Sequence, residues 1–82
     1  MEQVQARYQA WLAAQGDIFT PEQRAWLDAI AEHIGVNLTM EPKDLNEGIF
    51  FEQGGWNAAV ATFGDPAALR SLLDDLNTAL AA

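Results

Sequence analysis

The sequence has 82 residues, with twelve acidic and four basic side chains and no cysteine. This length fits one small domain, and the missing thiols exclude disulfides, cysteine nucleophiles and thiolate metal sites. The formal net charge of −8 disfavours binding to DNA or to anionic membranes, because phosphate contacts depend on Lys and Arg.

The first predicted helix runs from about Glu2 to Gln15, and Gly16 is a natural C-terminal stop. Apolar side chains at positions i, i+4, i+7 and i+8 share one face of this helix. They are Val4, Tyr8, Trp11 and Leu12.

The second predicted helix has a complete start signal. Thr20 is a good N-cap, Pro21 suits the first helical position, and Gln23 completes a capping box. The helix can end at Gly35 or run on to Leu38, and we expect it to run on. Arg24 and Asp28 can form an i,i+4 pair on its outer face. Trp26 flanks the predicted buried stripe, which consists of Leu27, Ile30, Ile34 and Leu38.

The remaining chain predicts one short helical turn and two more helices. The short turn covers Pro42–Leu45, and the segment from Asn46 to Gly55 is the least regular part of the sequence. A helix follows over Trp56–Phe63 and ends at Gly64. The last helix has Asp65 as N-cap and Pro66 at its start. Arg70 and Asp74 can pair on its outer face. Its apolar stripe is the clearest in the chain and consists of Leu69, Leu72, Leu73, Leu76 and Leu80.

These elements predict an all-α fold, a compact bundle of four main helices plus one short helical turn. No strand pattern is convincing, although Gly48–Phe51 can be read as a short extended piece. We expect residues 1–82 to form a single helical domain. No apolar run approaches the roughly 18 residues that span a bilayer, and the N-terminus does not resemble a signal peptide.

The sequence contains no convincing catalytic or metal-binding pattern. His33 is the only histidine, and a lone helix histidine is usually a surface or boundary residue. The run from Asp44 to Gly48 begins like a calcium loop, but its glycine stands one position early and its twelfth position is Gly55 instead of glutamate. Gly54 and Gly55 are read as a tight turn before a helix instead of an anion site.

The consecutive aromatic residues Phe50 and Phe51 are the best candidates for a contact with another protein. They lie in the irregular segment, where at most one of the two rings is easily buried on a given side. The other ring is expected to form an exposed apolar spot, and such spots often mark contacts.

Several short runs, in order along the chain, carry a family resemblance. They are Arg7-Tyr8 with Trp11-Leu12; Phe19-Thr20 with Gln23, Trp26-Leu27 and Ile30; His33-Ile34 with Asn37-Leu38, Glu41-Pro42 and Asp44-Leu45; Gly54-Gly55 with Phe63-Gly64; and Leu72 to Asn77 with Ala79-Leu80. Together they resemble the C-terminal domain of the restriction (R) subunit of type I restriction–modification enzymes of the EcoEI-like group. Gly35 departs from this pattern, because a better helix former is usual there.

The resemblance implies a C-terminal fragment of a larger R subunit, which carries a nuclease domain and a DNA translocase that uses ATP and Mg²⁺. It implies a non-catalytic assembly role here, with the methyltransferase subunit or the motor domain of its own R subunit as partner. We expect no catalytic, cofactor or metal site in these residues, no direct nucleic-acid binding, no membrane contact and a cytoplasmic location.

Two other functions stay open on the sequence. The chain can be a stand-alone acidic regulator or DNA mimic, which would need a contiguous row of carboxylates and salt-sensitive binding to a basic partner. It can also be a small enzyme, which would need a dominant concave pocket with convergent polar groups.

Overall fold

The computed structural model describes residues 2–81, which form five α-helices and one 3-10 turn. The elements are α1 (Glu2–Gln15), α2 (Pro21–Asn37), the 3-10 turn (Pro42–Asn46), α3 (Gly48–Glu52), α4 (Gly55–Phe63) and α5 (Pro66–Leu80). There is no strand among the described residues. The predicted all-α bundle of four main helices and a short turn is therefore confirmed. The short helix α3 was not predicted, because five residues are too few for a periodic apolar pattern.

The core lies where α1, α2 and α5 pack against one another, and α4 closes it against α2 and α5. On α2 the buried positions Leu27, Ile30 and Ile34 are at most 1% exposed. The last helix contributes Leu69, Leu73, Leu76 and Leu80, each at most 1% exposed. These stripes follow the helical period, so both helices form by burying one apolar face.

The start of α2 is capped as predicted and is also tied to α4. The hydroxyl of Thr20 accepts a hydrogen bond from the Gln23 backbone N–H at 3.1 Å, and Gln23 Oε1 accepts one from the Thr20 N–H at 2.9 Å. The same Gln23 side chain donates its Nε2–H to the carbonyl of Thr62 at 3.1 Å. One glutamine therefore completes the capping box and joins the beginning of α2 to the end of α4.

The end of α2 corrects one prediction. The helix runs through Gly35 as expected, but it stops at Asn37, and Leu38 takes a left-handed conformation with φ of 70°. Leu38 is 73% exposed, so its predicted place in the buried stripe is wrong. The reason is that the stripe needs helical geometry to continue, and the backbone leaves the helix one residue earlier.

The chain between α2 and α5 is held by side-chain amides from distant residues. Asn77 on α5 accepts a hydrogen bond from the Met40 N–H and donates one to the Met40 carbonyl, both at 2.7 Å. Asn46 accepts one from the N–H of Trp56 at 3.0 Å and so caps α4. A Cβ on Gly55 would lie 2.5 Å from the same Asn46 oxygen, which explains why glycine stands at this turn.

Two predicted surface ion pairs have different outcomes. Arg24 Nε lies 3.3 Å from Asp28 Oδ1, as the i,i+4 spacing on α2 predicts. No ion pair joins Arg70 to Asp74 in the described part of the chain, so that prediction is wrong. Exposed pairs of this kind contribute little to stability, and the fold is not affected by the difference.

The only tyrosine joins α1 to α2 through a partly buried hydrogen bond. Tyr8 is 1% exposed, and its hydroxyl donates to Asp28 Oδ1. Burial raises the pKa of Tyr8 well above its ordinary value of 10, and the hydrogen bond to Asp28 and the negative charge of that carboxylate raise it further. The phenol is therefore held in its neutral form.

We predict that Asn77→Ala lowers the free energy of unfolding by about 1–3 kcal/mol, because the two buried polar groups of Met40 lose their partners. Urea denaturation followed by circular dichroism measures this. Asn57→Ala on α4 is the matched control, since Asn57 is exposed and the change in helix propensity is similar. Equal stability of the two variants would contradict the assigned role of Asn77.

We predict that Tyr8 in the folded protein titrates above its ordinary pKa of 10. Because the folded pKa is the higher one, this group stabilises the fold fully below about pH 10, and the contribution is lost as the pH rises through the folded pKa. Phenolate absorbance reports Tyr8 directly, since the chain has one tyrosine. In Asp28→Asn the pKa should fall toward, but not reach, the ordinary value. A native titration at the ordinary pKa would refute this account.

Candidate functional site

The two candidate contact residues, Phe50 and Phe51, have opposite environments. Phe50 is 4% exposed and Phe51 is 68% exposed. Consecutive residues on a helix point about 100° apart, since there are 3.6 residues in each turn. The short helix α3 therefore places one ring inside and the other outside. The expectation that only one of the two is buried is confirmed.

Phe50 belongs to the core, with only 4% of its surface exposed. Its ring stacks on Trp26 with centroids 6.2 Å apart and planes inclined by 19°. The edge of the His33 imidazole meets the same ring at 5.8 Å and 71°. Phe50 thus anchors α3 to α2, and of the pair only Phe51 projects from the surface.

An open groove of about 380 Å³ runs between α2 and α3. One wall is a face of α2 with Ala29, His33 and Val36 at positions i, i+4 and i+7. The other wall is α3, with Ile49 at the surface and Phe50 below it. We call this feature the α2–α3 groove.

The apolar walls of the groove include two exposed aliphatic side chains. Val36 is 70% exposed and Ile49 is 56% exposed. Of the five large hydrophobic residues exposed between residues 2 and 81, four lie on the C-terminal part of α2, its cap or α3, namely Val36, Leu38, Ile49 and Phe51. Only Ile18 lies elsewhere, in the loop before α2. Most of the exposed large apolar side chains therefore belong to two short stretches, the C-terminal end of α2 with its cap and the helix α3.

His33 lies inside the groove beside a carboxylate. Its Nε2 atom is 3.6 Å from Asp44 Oδ2, and its ring Nδ1 is 3.4 Å from the side-chain amide of Asn37. The Asp44 carboxylate also accepts a hydrogen bond from the Glu41 N–H at 2.8 Å, which stabilises the 3-10 turn. The pair thus connects α2 to that turn, which agrees with the expectation of a boundary histidine.

The rim of the groove is acidic. Glu32 and Glu47 are exposed at its edges, and Asp44 is half-buried beside them. Lys43 is next to Asp44 in the chain, but its Nζ lies 3.5 Å from the carboxylate of Glu41. The arrangement combines an apolar recess with a negatively charged border.

Among the side chains that the structure describes, no three from His, Cys, Asp or Glu lie close enough together to hold a metal ion. None of the helices between residues 2 and 81 is both long and apolar enough to cross a membrane.

The sequence predicted an exposed ring at Phe50 or Phe51 but did not predict the groove. The α2 pattern places Val36 off the buried stripe, which is a signal for exposure, yet exposure alone does not identify a site. Ile49 was placed in an irregular segment with no predicted partner. The groove exists only because α3 packs beside α2, and this contact joins residues far apart in the chain.

Residues 1–81 match the model of the protein family described as EcoEI R protein C-terminal. Neither the curated proteins nor the solved structures gave a significant match. The family match covers essentially the whole chain and confirms the resemblance seen in its short sequence runs. The chain therefore belongs to the EcoEI R protein C-terminal family, the C-terminal domain of the restriction (R) subunit of type I restriction enzymes.

Proposed function

We propose that this domain is a non-catalytic docking module of a type I restriction enzyme. As part of a larger R subunit in the cytoplasm, it attaches either to the methyltransferase subunit or to the motor domain of its own subunit. Membership of the EcoEI R protein C-terminal family supports a place within such a complex. The ATP and Mg²⁺ of the enzyme belong, in this proposal, to the motor and not to this domain.

The observation that carries the proposal is the exposed phenylalanine on α3. Phe51 is 68% exposed beside a buried neighbour, and two exposed aliphatic residues are near it in the fold, Ile49 on the same helix and Val36 on α2. Apolar side chains grouped in one region of a small domain are typical of a protein contact. Aromatic residues are also enriched at the centres of protein interfaces.

The proposal assigns neither chemistry nor DNA binding to the domain. Covalent catalysis requires a nucleophile within hydrogen-bond reach of a base, and within residues 2–81 the side chain of His33 hydrogen-bonds only with Asn37. The net charge of −8 opposes contact with a phosphate backbone. A protein partner is therefore favoured over a nucleic acid.

We predict that the domain binds the purified methyltransferase core or the R-subunit motor. Phe51→Asp should weaken this binding by roughly tenfold or more, because an aromatic residue of the interface is lost. A pulldown followed by titration calorimetry measures both. The control is Ile18→Asp, since Ile18 is 65% exposed and lies in a different region.

Failure of the wild-type domain to bind either component would contradict the docking function. Equal weakening by Phe51→Asp and Ile18→Asp would mean that α3 has no special part in it. Circular dichroism of each variant checks that the helices are retained.

A further inference from the structure

We propose that the α2–α3 groove binds an amphipathic helix of the docking partner, one that presents aliphatic side chains with Lys or Arg beside them. This inference rests on the proposed docking function and specifies the surface and the chemistry of the partner segment. It concerns the recess next to Phe51 and not that side chain alone.

The shape of the groove suits a helix. Its long wall is one face of α2, and its other wall is the short helix α3, so an apolar stripe can lie between two helical surfaces. Val36 and Ile49 stand at the two sides and are more than half exposed. Phe50 and the His33 ring close the bottom, held together by their edge contact at 5.8 Å. The base of the groove is therefore preformed, which lowers the cost of binding.

The negative charge at the rim of the groove favours a partner segment with basic side chains. Glu32, Asp44 and Glu47 all line it, and the neighbouring Lys43 is paired with Glu41. An apolar segment with basic flanks would place its cations at this rim. Such complementarity speeds association and rejects acidic segments.

Other occupants fit the charge less well. A second copy of this chain also has a net charge of −8, so two acidic rims would repel each other. A DNA strand is repelled for the same reason. A basic amphipathic segment is the occupant that satisfies both the apolar walls and the acidic border.

The first test uses a synthetic amphipathic helical peptide with leucine on one face and lysine beside it. A second peptide with glutamate in place of lysine is the control. Amide chemical-shift mapping on the domain should place the lysine peptide at Val36 and Ile49, and binding should weaken as salt is added. Equal binding of both peptides, shifts centred elsewhere, or no binding would overturn the inference.

The second test uses variants on the exposed surface. Val36→Asp and Glu47→Lys should each weaken binding of the lysine peptide by about tenfold, as expected for loss of a contact residue. Glu47→Lys should also reduce the salt dependence. The matched controls are Ile18→Asp and Asp75→Lys, which alter exposed residues outside the groove. Equal effects of variants and controls would refute the groove as the site.

Repeating the titrations with the methyltransferase core and the R-subunit motor separates the two proposals. If a component binds the wild type and both groove variants equally but not Phe51→Asp, docking stands and the groove inference fails. If neither component binds while the lysine peptide maps to the groove, the docking function fails and the groove chemistry stands. Sedimentation velocity tests whether a second copy of the chain occupies the groove. A dimer that is disrupted by Val36→Asp would show that it does and would overturn the inference.

Discussion

The structure depends above all on the burial of one face of α2. Leu27, Ile30 and Ile34 are almost completely removed from water, and each side chain of this kind contributes about 1.5–3 kcal/mol when fully buried. In a domain of this size few other apolar faces are available, so α1 and α5 must both pack against α2. Although α1, α4 and α5 all pack against it, α2 keeps part of its surface uncovered. That uncovered surface, with Ala29 and Val36, becomes the wall of the α2–α3 groove.

A small set of long-range amide hydrogen bonds determines how the rest of the chain lies against this core. Asn77 binds both backbone groups of Met40, and Asn46 caps α4 from ten residues earlier in the chain. These contacts hold the 3-10 turn and therefore the start of α3. Phe50 then enters the core against Trp26, and the helical turn leaves Phe51 outside. The exposed phenylalanine is thus a consequence of the same packing that stabilises the domain, and not a loose side chain on a loop.

The domain combines apolar exposure with negative charge, and both properties are compatible with assembly into a larger enzyme. An exposed apolar region favours nonspecific association, and acidic side chains around it oppose the association of like-charged copies. Under the proposed docking function, the same acids would favour a basic partner segment and would disfavour contact with a phosphate backbone.

The sequence by itself determined the helices that have local signals. Thr20, Pro21 and Gln23 predicted the start of α2, and Asp65 and Pro66 predicted the start of α5, because caps and first-turn prolines act within a few residues. The periodic leucines of α5 predicted most of its buried face, and the sequence runs identified the family. The helix at Gly48–Glu52 and the α2–α3 groove were decided by tertiary structure, because they depend on contacts such as Phe50 with His33, between residues that no local pattern connects. Leu38 is exposed because α2 ends at Asn37, which the apolar spacing did not predict. The sequence predicted that one of the two rings, Phe50 or Phe51, would be exposed. Only the packing of α3 on α2 decided which of the two it is.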